Sequence, residues 1–304
     1  MNFHRHATYC FNPIYEKRMI KFVFTLLGFL TVVSVEAQTN AAASPSSQSA
    51  SEPAKAAKDG KVQQPQLDLA ARPITNGFTI FLIGDSTMAN KPLIPENPER
   101  GWGQMLPPYF KAGVRVENHA MNGRSSKSFR DEGRWQTVEN SFTPGDWVII
   151  QFGHNDEKDK DALRYAAPFG SFKTNLTQYV LETRVHGANP ILATPVARRK
   201  FDDGGKVVDT HGDYVTVVRQ VAAEQGVPLM DLNKRSDELL RREGPELSKK
   251  IYIWVTAEEY PGLPKGRQDD THFCAYGASR MCDLAVLEIK TAVPELARYL
   301  NTSK

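Results

Sequence analysis

From residue 78 onward, short apolar or alternating runs interleave with longer amphipathic stretches. The runs at 78–83, 114–118, 147–152, 191–194 and 228–232 predict buried strands. Between them, 103–111, 172–186, 214–225 and 277–291 space their apolar residues as core-facing helices do. Phe172, Leu176, Tyr179, Val180 and Thr183 mark one such face, and Gly187 supplies a helix stop. This alternation implies an α/β domain whose parallel sheet is covered on both faces. Ligands of such sheets bind beyond the carboxyl ends of the strands. Three polar segments fall there, after the first, second and third predicted strands: Gly84-Asp85-Ser86, Asn122-Gly123-Arg124 and Gly153-His154-Asn155-Asp156. Two irregular stretches, 156–170 and 196–212, are long for a compact domain, which marks them as functional or mobile.

The pattern stops before residue 73. An apolar run at 22–35 follows Lys17, Arg18 and Lys21 and leads into Val35-Glu36-Ala37, a small-x-small cleavage pattern. At about 14 residues it suits a signal peptide better than a membrane span of roughly 20. Met19 is a candidate start for this leader; Cys10 precedes the run, on the wrong side for a lipoprotein cysteine. Residues 38–72 are rich in Ala, Ser, Gln, Pro and Lys and bury too little to order themselves, so a disordered linker is expected. The expected organisation is therefore an N-terminal extension with signal peptide (1–37), a linker (38–72) and one catalytic-sized domain (73–304). Such a chain would be secreted or periplasmic, touching a membrane only if the leader stayed uncleaved, and monomeric.

Composition narrows the partners. The chain is 40% hydrophobic with a formal charge of +3, enough for a full core and too weakly basic to argue for nucleic acid. Cys274 and Cys282 are the thiols of the expected mature chain. On one helix they would lie about 12 Å apart along the axis, too far for a disulfide, so two buried free thiols are expected.

The polar segments carry the chemistry. A serine hydroxyl is a poor nucleophile until a positioned base takes its proton and an acid fixes the tautomer of that base. Ser86 ends the first predicted strand, and His272, in Asp269-Asp270-Thr271-His272, is the candidate base. A loop can fold Asp269 back onto the imidazole; Asp270 is the rival acid. Gly123 lets the backbone approach a ligand and expose its N–H. Asn155 can aim a neutral amide at the same point without quenching the base. Taken singly, each has an ordinary alternative as a helix cap, a turn glycine or an Asx-turn. His154 and Asp156 share one loop without a third ligand cluster, a poor metal site, so they read as positioning residues and no metal or organic cofactor is expected. His211, on the irregular stretch Thr210-His211-Gly212-Asp213, is a candidate to line the cleft. The elbow Gly-x-Ser-x-Gly of α/β-hydrolases is absent.

Taken together, Gly84-Asp85-Ser86, Asn122-Gly123, Gly153-His154-Asn155-Asp156 and Asp269 with His272 resemble the four blocks of the SGNH (GDSL) hydrolases. The resemblance implies a flavodoxin-like three-layer α/β/α sandwich with a five-stranded parallel sheet. It also implies a Ser86–His272–Asp269 triad and an oxyanion hole of the Ser86 and Gly123 N–H groups with the Asn155 amide. A narrower resemblance, to rhamnogalacturonan acetylesterases, rests on Asn122-Gly123-Arg124-Ser125-Ser126-Lys127-Ser128-Phe129, Gly153-His154-Asn155-Asp156, and Thr194-Pro195-Val196-Ala197-Arg198-Arg199 leading to Thr210-His211-Gly212-Asp213-Tyr214. It implies removal of acetyl groups from an acidic pectic polysaccharide. Arg124, Lys127, Arg130, Arg198 and Arg199 lie beside the expected site, where cations would hold uronate carboxylates. Arg124, Lys127, His154, Arg198 and His211 are the expected substrate contacts, and Trp102 and Trp135 are candidates to stack on sugars. A broader lipase, arylesterase or thioesterase, an acetylxylan-type esterase and an inactive carbohydrate-binding protein are the alternatives.

Overall fold

A computed structural model describes residues 77–301, which fall within one compact unit. The expected leader and linker lie outside the described residues. The strands are β1 (Phe78–Gly84), β2 (Glu99–Arg100), β3 (Val114–Asn118), β4 (Trp147–Gln151), β5 (Asn189–Ala193), β6 (Leu229–Met230), β7 (Tyr252–Val255) and β8 (Arg267–Cys274). The helices are α1 (Ser126–Asp131), α2 (Arg134–Glu139), α3 (Lys173–Val185), α4 (Asp213–Gln225), α5 (Leu232–Leu247), α6 (Ala275–Ala292) and α7 (Pro294–Ala297).

Five strands form the parallel sheet in the order β3-β1-β4-β5-β6. This is the flavodoxin-like arrangement, in which the strand order reverses at β1 and opens a crevice beyond the carboxyl ends of β1 and β4. The pleat sends alternate residues to opposite faces. Phe78, Ile80 and Leu82 of β1 join Ile149 and Ile191 in one core, packed on Met281, Ala285 and Ile289 of α6. Phe81 and Ile83 join Val148, Ile150 and Leu192 in the other, packed on Leu176 and Val180 of α3 and Val217 and Val221 of α4. Three layers result, as expected.

Other parts depart from expectation. Residues 103–111 are not a helix but two 3₁₀ turns, Trp102–Met105 and Pro107–Tyr109. Pro107 and Pro108 remove the N–H groups that a continuous helix would use. The last parallel strand shrinks to Leu229–Met230. Cys274 precedes α6 and is only half-buried, while Cys282 is buried; both are free of disulfides. A second sheet, antiparallel and ordered β2-β8-β7, was not foreseen. Asp269 and His272 belong to its strand β8 instead of a loop. Ile253 pairs with Asp269 but Tyr252 pairs with Phe273, so residues 270–272 are pushed out of register. That bulge lets the two side chains meet across three residues of an otherwise extended strand. Trp102 and Trp135 are buried in the core and are not available to stack on a sugar.

Candidate active site

Ser86 stands on a single tight turn after β1. Gly84 is obligatory there, since a Cβ would lie 2.6 Å from the Gln151 carbonyl on the adjacent strand. Asp85 is fully buried and its Oδ1 accepts from the Thr87 N–H (2.9 Å) and hydroxyl (2.8 Å). Gln151 donates to the Thr87 hydroxyl at 2.8 Å and accepts from the Trp102 indole at 2.9 Å, so the turn is anchored to β4 and to the first 3₁₀ turn. The Met88 and Ala89 N–H groups donate back to the Asp85 carbonyl. Ser86 is thereby left at the crest of the turn, half-buried.

The partner comes from the other sheet. His272 Nε2 lies 2.9 Å from Ser86 Oγ and His272 Nδ1 lies 2.8 Å from Asp269 Oδ2. The carboxylate accepts at Nδ1, which leaves Nε2 as the acceptor of the serine proton. The backbone N–H groups of Thr271 and His272 donate to Asp269 Oδ1 at 2.8 and 2.9 Å. Burial disfavours the Asp269 charge, but the His272 ring and these backbone donors outweigh it and hold the carboxyl well below its ordinary range. Asp270, the rival acid, instead accepts from Arg199 and from the Trp254 indole, both at 2.8 Å.

Two loops bring the other polar segments to the same end of the sheet. The Met121 N–H donates to the Gly84 carbonyl, so the chain after β3 continues alongside the serine turn. Gly123 occupies the left-handed region at φ +75°, in a turn closed from Arg124 N–H to Met121 carbonyl. The Asn155 amide donates to the Arg124 carbonyl (3.0 Å), and its oxygen accepts from Lys158 Nζ (2.8 Å). These partners fix which way the amide points and leave its second N–H hydrogen uncommitted by them. Asp156 accepts from the Ser126 N–H (2.9 Å) and hydroxyl (2.5 Å), latching this loop to the start of α1. Burial pushes Asp156 up to about 7, against those hydrogen bonds.

Three charged side chains strap the halves together. Arg267 holds Asp269 Oδ2 on β8, and its other guanidinium nitrogen lies 3.4 Å from Glu99 on β2. Glu99 takes Lys91 Nζ at 2.6 Å, and Lys91 donates to Asn122 next to Gly123. The Lys91 side chain is only 2% exposed; burial pulls it below its ordinary range, against the Glu99 carboxylate. Sequence reading missed this strap because its members are far apart in the chain and none sits in a motif.

The expected substrate contacts are relocated by the structure. His154 and His211 are each 3% exposed, too buried to touch a polymer. His211 lies 3.0 Å from both Glu157 and the Val196 carbonyl, because the 196–212 segment folds its ring inward. His154 packs edge-on to His211, centroids 4.5 Å apart, with Nδ1 3.3 Å from Asp85 Oδ2 but outside hydrogen-bond geometry. Burial pushes His154 down to about 4, against the Asp85 charge. Burial would raise Asp85, yet His154 and the Thr87 hydrogen bonds outweigh it and hold Asp85 at about 2. The cations are paired internally: Arg124 with Glu132, Lys127 with Asp131, Arg130 with Glu182, Arg198 with Glu157 and Arg199 with Asp270. Among the described residues, no three His, Cys, Asp or Glu side chains gather as a metal would require.

Two outcomes are expected. Glu99→Gln keeps the shape of the strap but leaves Lys91 and Arg267 without their shared anion; kcat should fall on the order of ten- to hundredfold with KM nearly constant. An unchanged kcat would show that packing alone aligns the site. His154 has a folded pKa near 4, below its ordinary 6.5, so its contribution to stability is complete above pH 6.5 and is lost as pH falls toward 4. Asp156, raised to about 7, pulls the other way between that value and its ordinary 3.8, so parent and variant must be compared. Urea unfolding should show the parent losing more stability than His154→Asn between pH 7 and 4.5, by on the order of 2 kcal/mol. Equal losses would mean that His154 titrates as an exposed imidazole.

Comparison with known proteins bears on this arrangement. Residues 82–252 match the family model described as GDSL-like Lipase/Acylhydrolase. The chain is 40% identical over 205 residues to a rhamnogalacturonan acetylesterase of Bacillus subtilis, covering 67% of this chain and 86% of that one. It is 39% identical over 234 residues to a rhamnogalacturonan acetylesterase of Emericella nidulans, covering 71% and 86%. Among solved structures, the Bacillus subtilis protein YxiM superposes with a TM-score of 0.61 at 29% identity, over 71% of this chain and 57% of that one. An acetylxylan esterase of Geobacillus stearothermophilus, at 19% identity and a TM-score of 0.50, covers 71% of this chain and 95% of its own and shares the fold. The chain belongs to the GDSL-like lipase/acylhydrolase family of carboxylic ester hydrolases.

Proposed function

We propose that this protein is an exported serine esterase that removes acetyl groups from pectic polysaccharide. The observation that carries the reading is the unbroken line from Asp269 Oδ2 through the His272 ring to Ser86 Oγ, with steps of 2.8 and 2.9 Å. The names of the relatives, two of them rhamnogalacturonan acetylesterases at 40% and 39% identity, support the substrate class.

In this reading His272 Nε2 takes the Ser86 proton as Oγ attacks the acetyl carbonyl. Asp269 keeps the proton on Nδ1 and stabilises the imidazolium that forms. The carbonyl oxygen gathers negative charge and is met by the N–H groups of Ser86 and Gly123 and the Asn155 amide. His272 then gives its proton to the departing sugar oxygen. The acetyl group remains on Ser86 until water, activated by the same imidazole, releases acetate and restores the serine. Export rests on the apolar segment at 22–35 and the cleavage pattern after it.

Acetate release from acetylated rhamnogalacturonan, homogalacturonan and xylan, measured side by side, tests the reading. The rhamnogalacturonan should be the best substrate, and Ser86→Ala should lower kcat roughly a thousandfold or more. Faster turnover of long-chain 4-nitrophenyl esters than of the acetyl ester would replace acetylesterase with a broader lipase. Full activity in Ser86→Ala would remove Ser86 from the chemistry.

A further inference from the structure

The cations expected to hold substrate each pair with a carboxylate; two others, Lys158 and the Asp161-bound Arg164, stand beside the proposed oxyanion donors. Lys158 Nζ donates to the Asn155 side-chain oxygen at 2.8 Å. Arg164 faces Gly123: a methyl group built on that glycine would meet the Arg164 Nη1 at 3.8 Å. Asp161 holds Arg164 through Nε (2.6 Å) and Nη2 (2.5 Å), which leaves Nη1 as the edge turned toward Gly123.

The charges around this pair are interlinked. Arg198 and His211 share Glu157, and Arg164 takes Asp161. Lys158 is pulled below the ordinary lysine range by burial and then by the like charges of Arg164 and Arg198, with Asp161 and Glu157 acting in the opposite sense. Lys158 is exposed, and its Nζ beside Asn155 and the Arg164 Nη1 beside Gly123 put two positive charges at one edge of the site, where an anion could meet both. Both cations lie on the 156–170 segment, whose length marks it as functional or mobile.

We propose that Lys158 and Arg164 form a carboxylate subsite beside the ester site, and that it takes the carboxylate of an acetylated uronic acid. The assignment rests on the acetylesterase reading above. It follows from the shape of the substrate class: a uronate carries its carboxylate across one sugar ring from an esterified hydroxyl, so seating the ester at Ser86 brings the carboxylate to the rim of the same pocket. Lys158 offers a compact charge and Arg164 a planar donor edge, a pairing suited to a carboxylate.

Acetylated polygalacturonate and its methyl-esterified form test this, because they present the same acetyl groups with the carboxylates free or capped. The parent protein should prefer the free acid, and the preference should shrink with added salt. In Lys158→Met and in Arg164→Gln the ratio of kcat/KM for free acid over methyl ester should fall about tenfold, mainly through KM for the free acid. A parent without that preference, or variants that slow both polymers equally, would overturn the subsite. The underlying reading fails separately: it falls if the parent releases no acetate from either polymer, or if Ser86→Ala still does.

Discussion

The hydrogen bond between Ser86 Oγ and His272 Nε2 joins two sheets that share no backbone ladder, and most of the site serves to hold that 2.9 Å distance. Ser86 rides on the parallel sheet, fixed from below by Asp85, Thr87, Gln151 and Trp102. His272 rides on the antiparallel sheet, where a register shift against β7 brings it and Asp269 together. A hydroxyl and an imidazole that drift by an ångström lose much of their reactivity. The Lys91–Glu99–Arg267 strap supplies the cross-brace. It runs from Asp269 to the turn bearing Gly123, and its buried lysine is tolerated because it pairs with Glu99 and donates to Asn122.

Behind the serine lies a second layer of charge. Asp85, His154, His211, Glu157 and Arg198 form a packed cluster that joins the serine turn to the 196–212 segment. Burial keeps His154 neutral at ordinary pH while the Thr87 hydrogen bonds help to keep Asp85 ionised. An uncharged ring between an anion and the neighbouring His211 needs no counterion of its own, although neither of its nitrogens nor Asp85 Oδ2 has a hydrogen-bond partner and that burial costs free energy. The residues around Asn155 therefore divide their work: the Asn155 amide ties the loop to the Arg124 carbonyl, while His154 packs on His211 and Asp156 latches the loop to α1.

Much of this was legible in the sequence because burial and period agree there. β1 is buried throughout, β4 and β5 nearly so, and the positions of Ser86, Gly123 and Asn155 follow from their strands ending where the apolar runs end. What escaped was non-local or carried little period. β2 has two residues, and its pairing with β8 depends on a partner far along the chain. α5 is half charged and interrupted near its end by Gly244 and Pro245, which hid a stripe of Leu232, Ser236, Leu239 and Leu240 that does recur at helical spacing. Cations such as Arg124 and Arg198 looked available because their carboxylate partners, Glu132 and Glu157, could be matched to them only in three dimensions. Burial of His154 and His211 was hidden for the same reason.

In the proposed chemistry Ser86 carries the acyl group and His272, held by Asp269, is the base. Rapid acid quenching of the protein during turnover of 4-nitrophenyl acetate, followed by peptide mass spectrometry, tests it most directly. One acetyl group is expected on the peptide containing Ser86, gained and lost at rates consistent with turnover and absent when Asp269 and His272 are replaced. An acetyl group on another residue, or turnover with no acylated peptide at any time, would contradict it.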